Sequence, residues 1–186
     1  MQVEKIMSSV HREKVGMFIK NKIDISDLID GYSVKNMNLA GAIITKWNVS
    51  ERDISGVNLA RAKIGSPNTT IFMNNTKARN CNCNQTQFIG KVMARRLDAR
   101  GTTFLGAYMP YMDYRYANLE GCNFCDCVFS IGTAKAYGAK FDDKFFKDIG
   151  EFWGVEINIK SMEEKNHDTG RLKSDIKRQR RLQRES

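Results

Sequence analysis

The sequence predicts an all-β solenoid: a chain that turns a corner every five residues and lays each coil on the last. Three observations predict it. From Met37 to Asp143 an apolar or aromatic residue recurs at every fifth position, clearest in TTFLG, AYMPY, MDYRY, ANLEG, CNFCD and CVFSI from Thr102 onward. The residue two places before each of these is small or modest, as at Ala107, Ala117, Cys122 and Cys127. Glycine closes several cells, at Gly41, Gly56, Gly101, Gly106 and Gly121. A period of five fits neither the 3.6 of a helix nor the 2 of an ordinary strand. Self-similarity at a fixed period is the mark of a repeat architecture.

The central residues run Leu39, Ile44, Val49, Ile54, Leu59, Ile64, and resume after an irregular stretch at Met73, Ala78, Cys83 and Phe88. One inserted residue shifts the frame to Ala94, Ala99, Phe104, Met109, Tyr114, Leu119, Phe124 and Phe129. Two more precede Ala136 and Phe141. The residues two before a centre include Ala42, Trp47, Val57, Ala62, Cys81, Thr86, Thr102 and Ala139. Both sets are expected to point inward.

Ala117-Asn118-Leu119-Glu120-Gly121 matches the A-(D/N)-L-x-x consensus of the pentapeptide-repeat family, which the chain resembles over a little more than half its length. The resemblance implies a right-handed, four-sided β-helix with four cells per coil. About twenty cells then make about five coils, at roughly 4.8 Å each. Such a stack needs covered ends, because an open coil exposes unpaired backbone. The competing fold is an antiparallel β-domain, which calls for turn signals every 8–12 residues.

Short helical caps are expected at both ends. Residues 1–30 read as an N-terminal helical cap and lead-in. Val3, Ile6, Met7, Val10, Met17 and Phe18 are its apolar residues, and Asp24 to Gly31 leads into the stack. Residues 31–143 are the repeat region. Residues 144–160 read as a capping helix and a short strand, with Phe145, Phe146, Ile149, Phe152 and Trp153 on the apolar side. Residues 161–186 are a basic tail with few apolar side chains, a composition that does not support a packed core.

The chain carries 30 Lys and Arg against 21 Asp and Glu. The excess lies mainly in positions 31–145, which hold 15 basic and 8 acidic residues. No run is long and apolar enough for a membrane span, and the N-terminus lacks the pattern of a secretory signal. A cytoplasmic chain is expected.

Five cysteines fall in two clusters, Cys81/Cys83 and Cys122/Cys125/Cys127. The spacing of the second resembles half a zinc site. The repeat frame explains it more simply, since all but Cys125 occupy inward positions and both histidines, His11 and His167, lie outside the repeat. Matching positions two coils apart lie about 10 Å from each other, too far for a disulfide. No cofactor, small-molecule substrate or catalytic set is expected, and the chain does not read as an enzyme.

A solid column acts through its outside. Unrolled four cells per coil, the frame stacks Asn74, Arg95, Arg115 and Tyr137 on one strip, with Arg96 and Tyr116 at the corner. The adjacent strip stacks Arg79, Arg100, Glu120 and Asp142, with Lys63, Lys77 and Lys91 flanking. Arg79, Arg95, Arg96, Arg100 and Arg115 thus form a candidate anion or partner site. A solvated face neutralised by Asp98 and Asp113 is the plainer reading, since stacked charges repel by only about 0.8 kcal/mol in water. Elsewhere Ile89, Leu105, Tyr108, Pro110, Tyr111, Val128 and Ile131 are expected to face outward, an apolar density that suggests a protein contact. The N-terminal segment is an alternative cover for it.

Three functions follow. The first is a non-enzymatic scaffold that binds a macromolecular partner; the resemblance adds pairing into a homodimer through the C-terminal cap. The second is nucleic-acid binding through the arginines and the tail. The third, from the gyrase-modulating branch of the resembled family, is DNA mimicry, which the basic charge disfavours.

Overall fold

The structure, a computed structural model, describes residues 4–129 and 138–141. Helix α1 (Ser9–Lys20) and the single turn α2 (Ser26–Ile29) precede six strands: β1 (Ile43–Ile44), β2 (Lys63–Phe72), β3 (Gln87–Met93), β4 (Tyr108–Met109), β5 (Met112–Asp113) and β6 (Val128–Phe129). They form one sheet in the order β1-β2-β3-β4-β6, with β5 also paired to β3. Every pairing is parallel, which rejects the antiparallel alternative. Ile43 pairs with Lys63, Lys63 with Gln87, Gln87 with Tyr108 and Tyr108 with Val128, so each residue meets the one 20 to 24 places on. Isolated bridges repeat the step elsewhere, as in Asn38–Asn58–Asn82–Thr103–Asn123. A chain that pairs only with its own next turn is a β-solenoid.

Local chemistry explains why five residues make a cell. At many corners the carbonyl of the central residue accepts the N–H three places on, as in Leu39 with Ala42 (3.1 Å), Leu59 with Ala62 (2.9 Å) and Phe104 with Ala107 (2.9 Å). The third residue of such a turn is left-handed, the type II signature: Gly41 at φ +71°, Arg61 at +59°, Gly106 at +64°. Asn or Asp just before the centre accepts the N–H two places on, as Asn38 does from Ala40 (3.2 Å) and Asn123 from Cys125 (3.0 Å). That contact is an Asx turn and steers the corner.

Inside, the frame holds. Every centre from Leu39 to Phe124 is buried, as are the small residues two before, from Ala42 to Cys127. Ala139 and Phe141, at the far end of the described stretch, are only half-buried. Thr76, Thr86 and Thr102 are buried polar residues at small inward positions, and each donates its hydroxyl to a carbonyl of the preceding coil, Val49 (2.7 Å), Leu59 (2.7 Å) and Ala78 (2.5 Å). Cys81, Cys122 and Cys127 do the same with their thiols, to Ile54, Ala99 and Phe104. Thr and Cys therefore alternate at this position because both tie one turn to the next. Among the described residues no buried side-chain nitrogen or oxygen lacks a partner.

The irregular stretch of the sequence is a bulge. Gly65 pairs with Ile89, but the next partners are Thr70 and Lys91. Ser66 to Thr69 loop out, pinned by Ser66 N–H to Thr69 Oγ1 at 2.7 Å and Thr69 Oγ1 to the Ser66 carbonyl at 3.1 Å. The extra residues lengthen that turn to 24 while the stack above and below stays aligned.

Of the apolar residues that the sequence assigns to the N-terminal cap, only some pack inward. Ile6, Val10 and Met17 are exposed; Val15 is buried, with Phe18 and Ile19 half-buried beside it and Met7 buried ahead of the helix. The helical period starts only at the Ser8 cap, whose side chain accepts the His11 N–H (3.2 Å). From there Val15, Phe18 and Ile19 share one face and Val10 and Met17 the opposite one. Val3 lies outside the described residues, as do Ala136, the expected C-terminal cap and the tail. Asp24 ties the lead-in to the first turn by accepting from Ser26 N–H (2.9 Å), Ser26 Oγ (2.6 Å) and the Thr45 hydroxyl.

Candidate interaction surfaces

The inward side chains fill the interior of the described coils. Where alanine and cysteine replace larger centres, at Ala78, Cys83 and Ala99, an apolar void of about 20 Å³ remains beside Phe88 and Met112. It has room for about one water but no polar lining, and such voids stay dry. Burial pushes the Cys81 thiol up to about 11 and Cys83 well above its ordinary value, so both are protonated at neutral pH and poor nucleophiles or ligands. Among the cysteines Cys125 is half-exposed, and Cys81, Cys83, Cys122 and Cys127 are buried. Among the described residues no three His, Cys, Asp or Glu side chains gather into a metal-holding group. No described helix is long and apolar enough to cross a membrane.

The arginines stack in the register the frame predicts. Asn75 N–H meets the Arg95 carbonyl and Arg96 N–H the Arg115 carbonyl, each bond joining one coil to the next. Asn80 N–H meets the Arg100 carbonyl, and Gly101 N–H that of Glu120. Asp98 and Asp113 each hold two arginines, one from the coil below and one two residues on. Asp98 accepts from Arg79 (2.5 and 2.8 Å) and from Arg100 (2.9 and 3.0 Å). Asp113 accepts from Arg95 Nε (2.9 Å) and from Arg115 Nε and Nη2 (2.9 and 2.8 Å). Arg96 lies over the Tyr116 ring, 5.9 Å from its centre. Tyr137 and Asp142 lie outside the described residues.

These pairs shape the acid response. Burial of Asp113, whose side chain is only 7% exposed, raises its pKa, but the hydrogen bonds from Arg115 and Arg95 outweigh that and hold it at about 2. Asp53 is likewise lowered to about 2: burial opposes the shift, and Lys35 (2.7 Å) and Ser55 drive it. The Arg100 and Arg79 guanidiniums hold Asp98 lower still. A depressed carboxyl stabilises the fold fully above its unfolded pKa and loses that contribution as pH falls through its folded pKa. The melting temperature is therefore expected to fall steeply from about pH 4 to about pH 2. Asp113→Asn should flatten that acid limb when circular dichroism melts are compared across pH, at a cost near neutrality of about 1–2 kcal/mol after solvent screening.

Four of the apolar residues expected to face outward are exposed. Leu105, Tyr108, Tyr111 and Val128 are 38–49% exposed, and Tyr108 and Val128 are direct pairing neighbours. Ile89 is half-buried and Ile131 lies outside the described residues. Pro110, expected to face outward, is buried. Gln87 pairs with Tyr108 but Val92 with Met112, so β3 carries one residue more than its partner just there. The extra residue crowds that position, and simple alternation no longer sets its exposure. The N-terminal helix packs on α2 and Tyr32 instead of covering the strip. Phe72, 42% exposed, was not expected at the surface; it follows a bulge that hides the repeat frame. Phe145, Phe146, Ile149, Phe152 and Trp153 lie outside the described residues.

The chain is thus a β-solenoid of five-residue cells whose inward side chains fill its core. The solved structures it is similar to are pentapeptide-repeat proteins. Rfr23 of the cyanobacterium Cyanothece 51142 is 15% identical over 57% of this chain and 85% of its own, with a TM-score of 0.42. A thylakoid-lumen protein of Arabidopsis thaliana is 18% identical over 60% of this chain and 66% of its own, at 0.34. QnrB1, a plasmid-mediated fluoroquinolone resistance protein, is 18% identical over 59% and 63%, at 0.22. No family model and no curated protein matches the sequence.

Proposed function

We propose that this chain is a pentapeptide-repeat protein acting as a non-enzymatic scaffold, a right-handed, four-sided column of about five coils that binds a macromolecular partner through its outer faces. Its setting in this reading is the cytoplasm. The repeat region spans 31–143, flanked by caps at 1–30 and 144–160 and by the basic tail 161–186. The apolar residues of the second cap, Phe145 to Trp153, are proposed to pair two copies.

The observation that carries the reading is the exposure of Leu105, Tyr108, Tyr111 and Val128 on the outside of a filled column, with Tyr108 and Val128 side by side on neighbouring coils. Apolar side chains clustered on a solvated wall mark a protein contact. DNA mimicry is opposed by the same geometry, because arginines stand where a duplex mimic needs carboxylates. The test substitutes Tyr108→Gln and Val128→Gln together and purifies both forms from the native host. The wild type should bring down a discrete partner that the variant loses at unchanged melting temperature. Purification of both as bare monomers would sink the proposal.

A further inference from the structure

We propose that the outer face of α1 docks on an anionic lipid surface, so that the N-terminal end of the column lies on a membrane without spanning it. The inference goes beyond the scaffold reading and uses none of the residues of the apolar strip.

Ile6, Val10 and Met17 are 84, 73 and 60% exposed, the barest large apolar side chains among the described residues. Val10 and Met17 stand seven places apart, two turns of helix, and so lie on one line of α1; Ile6 precedes the Ser8 cap. The opposite side of the helix holds it to the column. Val15 is buried there, and Phe18 and Ile19 pack against the core with Leu28 and Tyr32. His11 fixes the orientation: its Nε2 donates to the Leu28 carbonyl (2.5 Å), and its ring lies 4.4 Å from that of Tyr32. One apolar stripe seats a helix on its own core. A second, on the far side, calls for another apolar phase.

The surrounding charge selects that phase. Residues 4–23 carry Lys5, Arg12, Lys14, Lys20 and Lys22 against Glu4 and Glu13, and Glu4 faces Arg52 at 3.9 Å. Lys14 and Lys20, both exposed, flank the Val10–Met17 line at about 60° on either side, and outnumber Glu13, the one carboxylate on that side of α1. Lysines so placed lay their stems along the apolar boundary and lift their ammonium groups to anionic headgroups. Each contributes about fivefold to binding at a negatively charged leaflet, and the cytoplasmic leaflet is of that kind. An acidic polymer would satisfy the lysines and leave Ile6, Val10 and Met17 in water. A second copy fits less well: a stable protein pair takes about 20–30 residues a side, and this face offers one helix of 12 residues. A bilayer needs no matched surface.

The test is co-sedimentation of the full chain with vesicles of equal parts phosphatidylglycerol and phosphatidylcholine, at about 100 mM salt. The parent should pellet with them and stay in solution with phosphatidylcholine alone. Val10→Glu with Met17→Glu should weaken binding about tenfold or more at unchanged melting temperature, because both side chains already stand in water. Lys14→Gln with Lys20→Gln should weaken it about 30-fold. Val10→Trp should gain a blue-shifted emission on vesicle addition, beyond any change in the parent. No pelleting with the charged vesicles overturns the proposal. So does pelleting that the Val10→Glu/Met17→Glu form retains within twofold, which assigns the lipid to the basic tail. Equal binding to both kinds of vesicle removes the anionic headgroup from it. A dimer that the same double variant splits, in a chain that ignores vesicles, gives the face to a second copy. Co-purification with the Tyr108 and Val128 variant reads only the scaffold, so the two proposals fail separately.

Discussion

Phe124→Ala is expected to destabilise the fold by about 3–5 kcal/mol. The Phe124 ring is buried and lies parallel to Phe104 on the coil below, with centroids 5.0 Å apart and planes 7° from each other. Truncation removes the ring's own transfer energy and the stacked contact together, and leaves a hole between two rigid turns that are poorly able to collapse into it. Phe124→Leu should cost only about 1 kcal/mol, because Leu39 and Leu59 already fill the same row on earlier coils. Thermal melts followed at the strand signal check both. The alanine form should melt roughly 10 °C or more below the parent. Equal losses for the two substitutions would contradict a cross-section filled coil by coil.

Gly90→Ala should cost roughly 3 kcal/mol or more, although it adds a single methyl group. Gly90 has φ +86°, and a Cβ there would lie 2.3 Å from the Ser66 carbonyl oxygen and 2.7 Å from that of Thr69. Both obstacles are backbone, so relief requires β2 and β3 to separate at the bulge. Gly106→Ala is the control: its φ is +64°, but the nearest atom to a new Cβ is Gln85 Cγ at 3.6 Å. Only the conformational penalty of about 1 kcal/mol applies there. Denaturant melts of the two variants separate steric closure from backbone preference.

The repeat was legible because it is written in side-chain volume. Leu39, Ile54, Leu59 and Phe104 are large and Ala42, Ala62 and Ala107 are small, and every one of them is buried. The arginine register was legible for the same reason, since a counted frame places Arg95 beneath Arg115 without any knowledge of the side chains. Their pairing was only half legible. That Asp98 and Asp113 each hold arginines from two coils depends on rotamers, which spacing does not encode. The frame lapsed between Ile64 and Met73, where Ser66–Thr69 leave the stack, and Phe72 beyond it was missed accordingly. Pro110 was misplaced because one surplus residue on the neighbouring strand changes what surrounds it. In the N-terminal segment the apolar residues named from the sequence straddle the Ser8 cap, and helical periodicity begins only after it, so Val15 and Ile19, not among them, join Phe18 on the packed face.

Side chains such as Thr76, Thr86 and Cys122 fasten each turn only to the one before it. Drawn apart by its two ends, the molecule would yield like a zip, because tension falls on one rung of bonds while the rest stay slack. Each 20-residue turn released would pay out about 65 Å of thread. Such a column resists crushing from the side far better than tugging along its length.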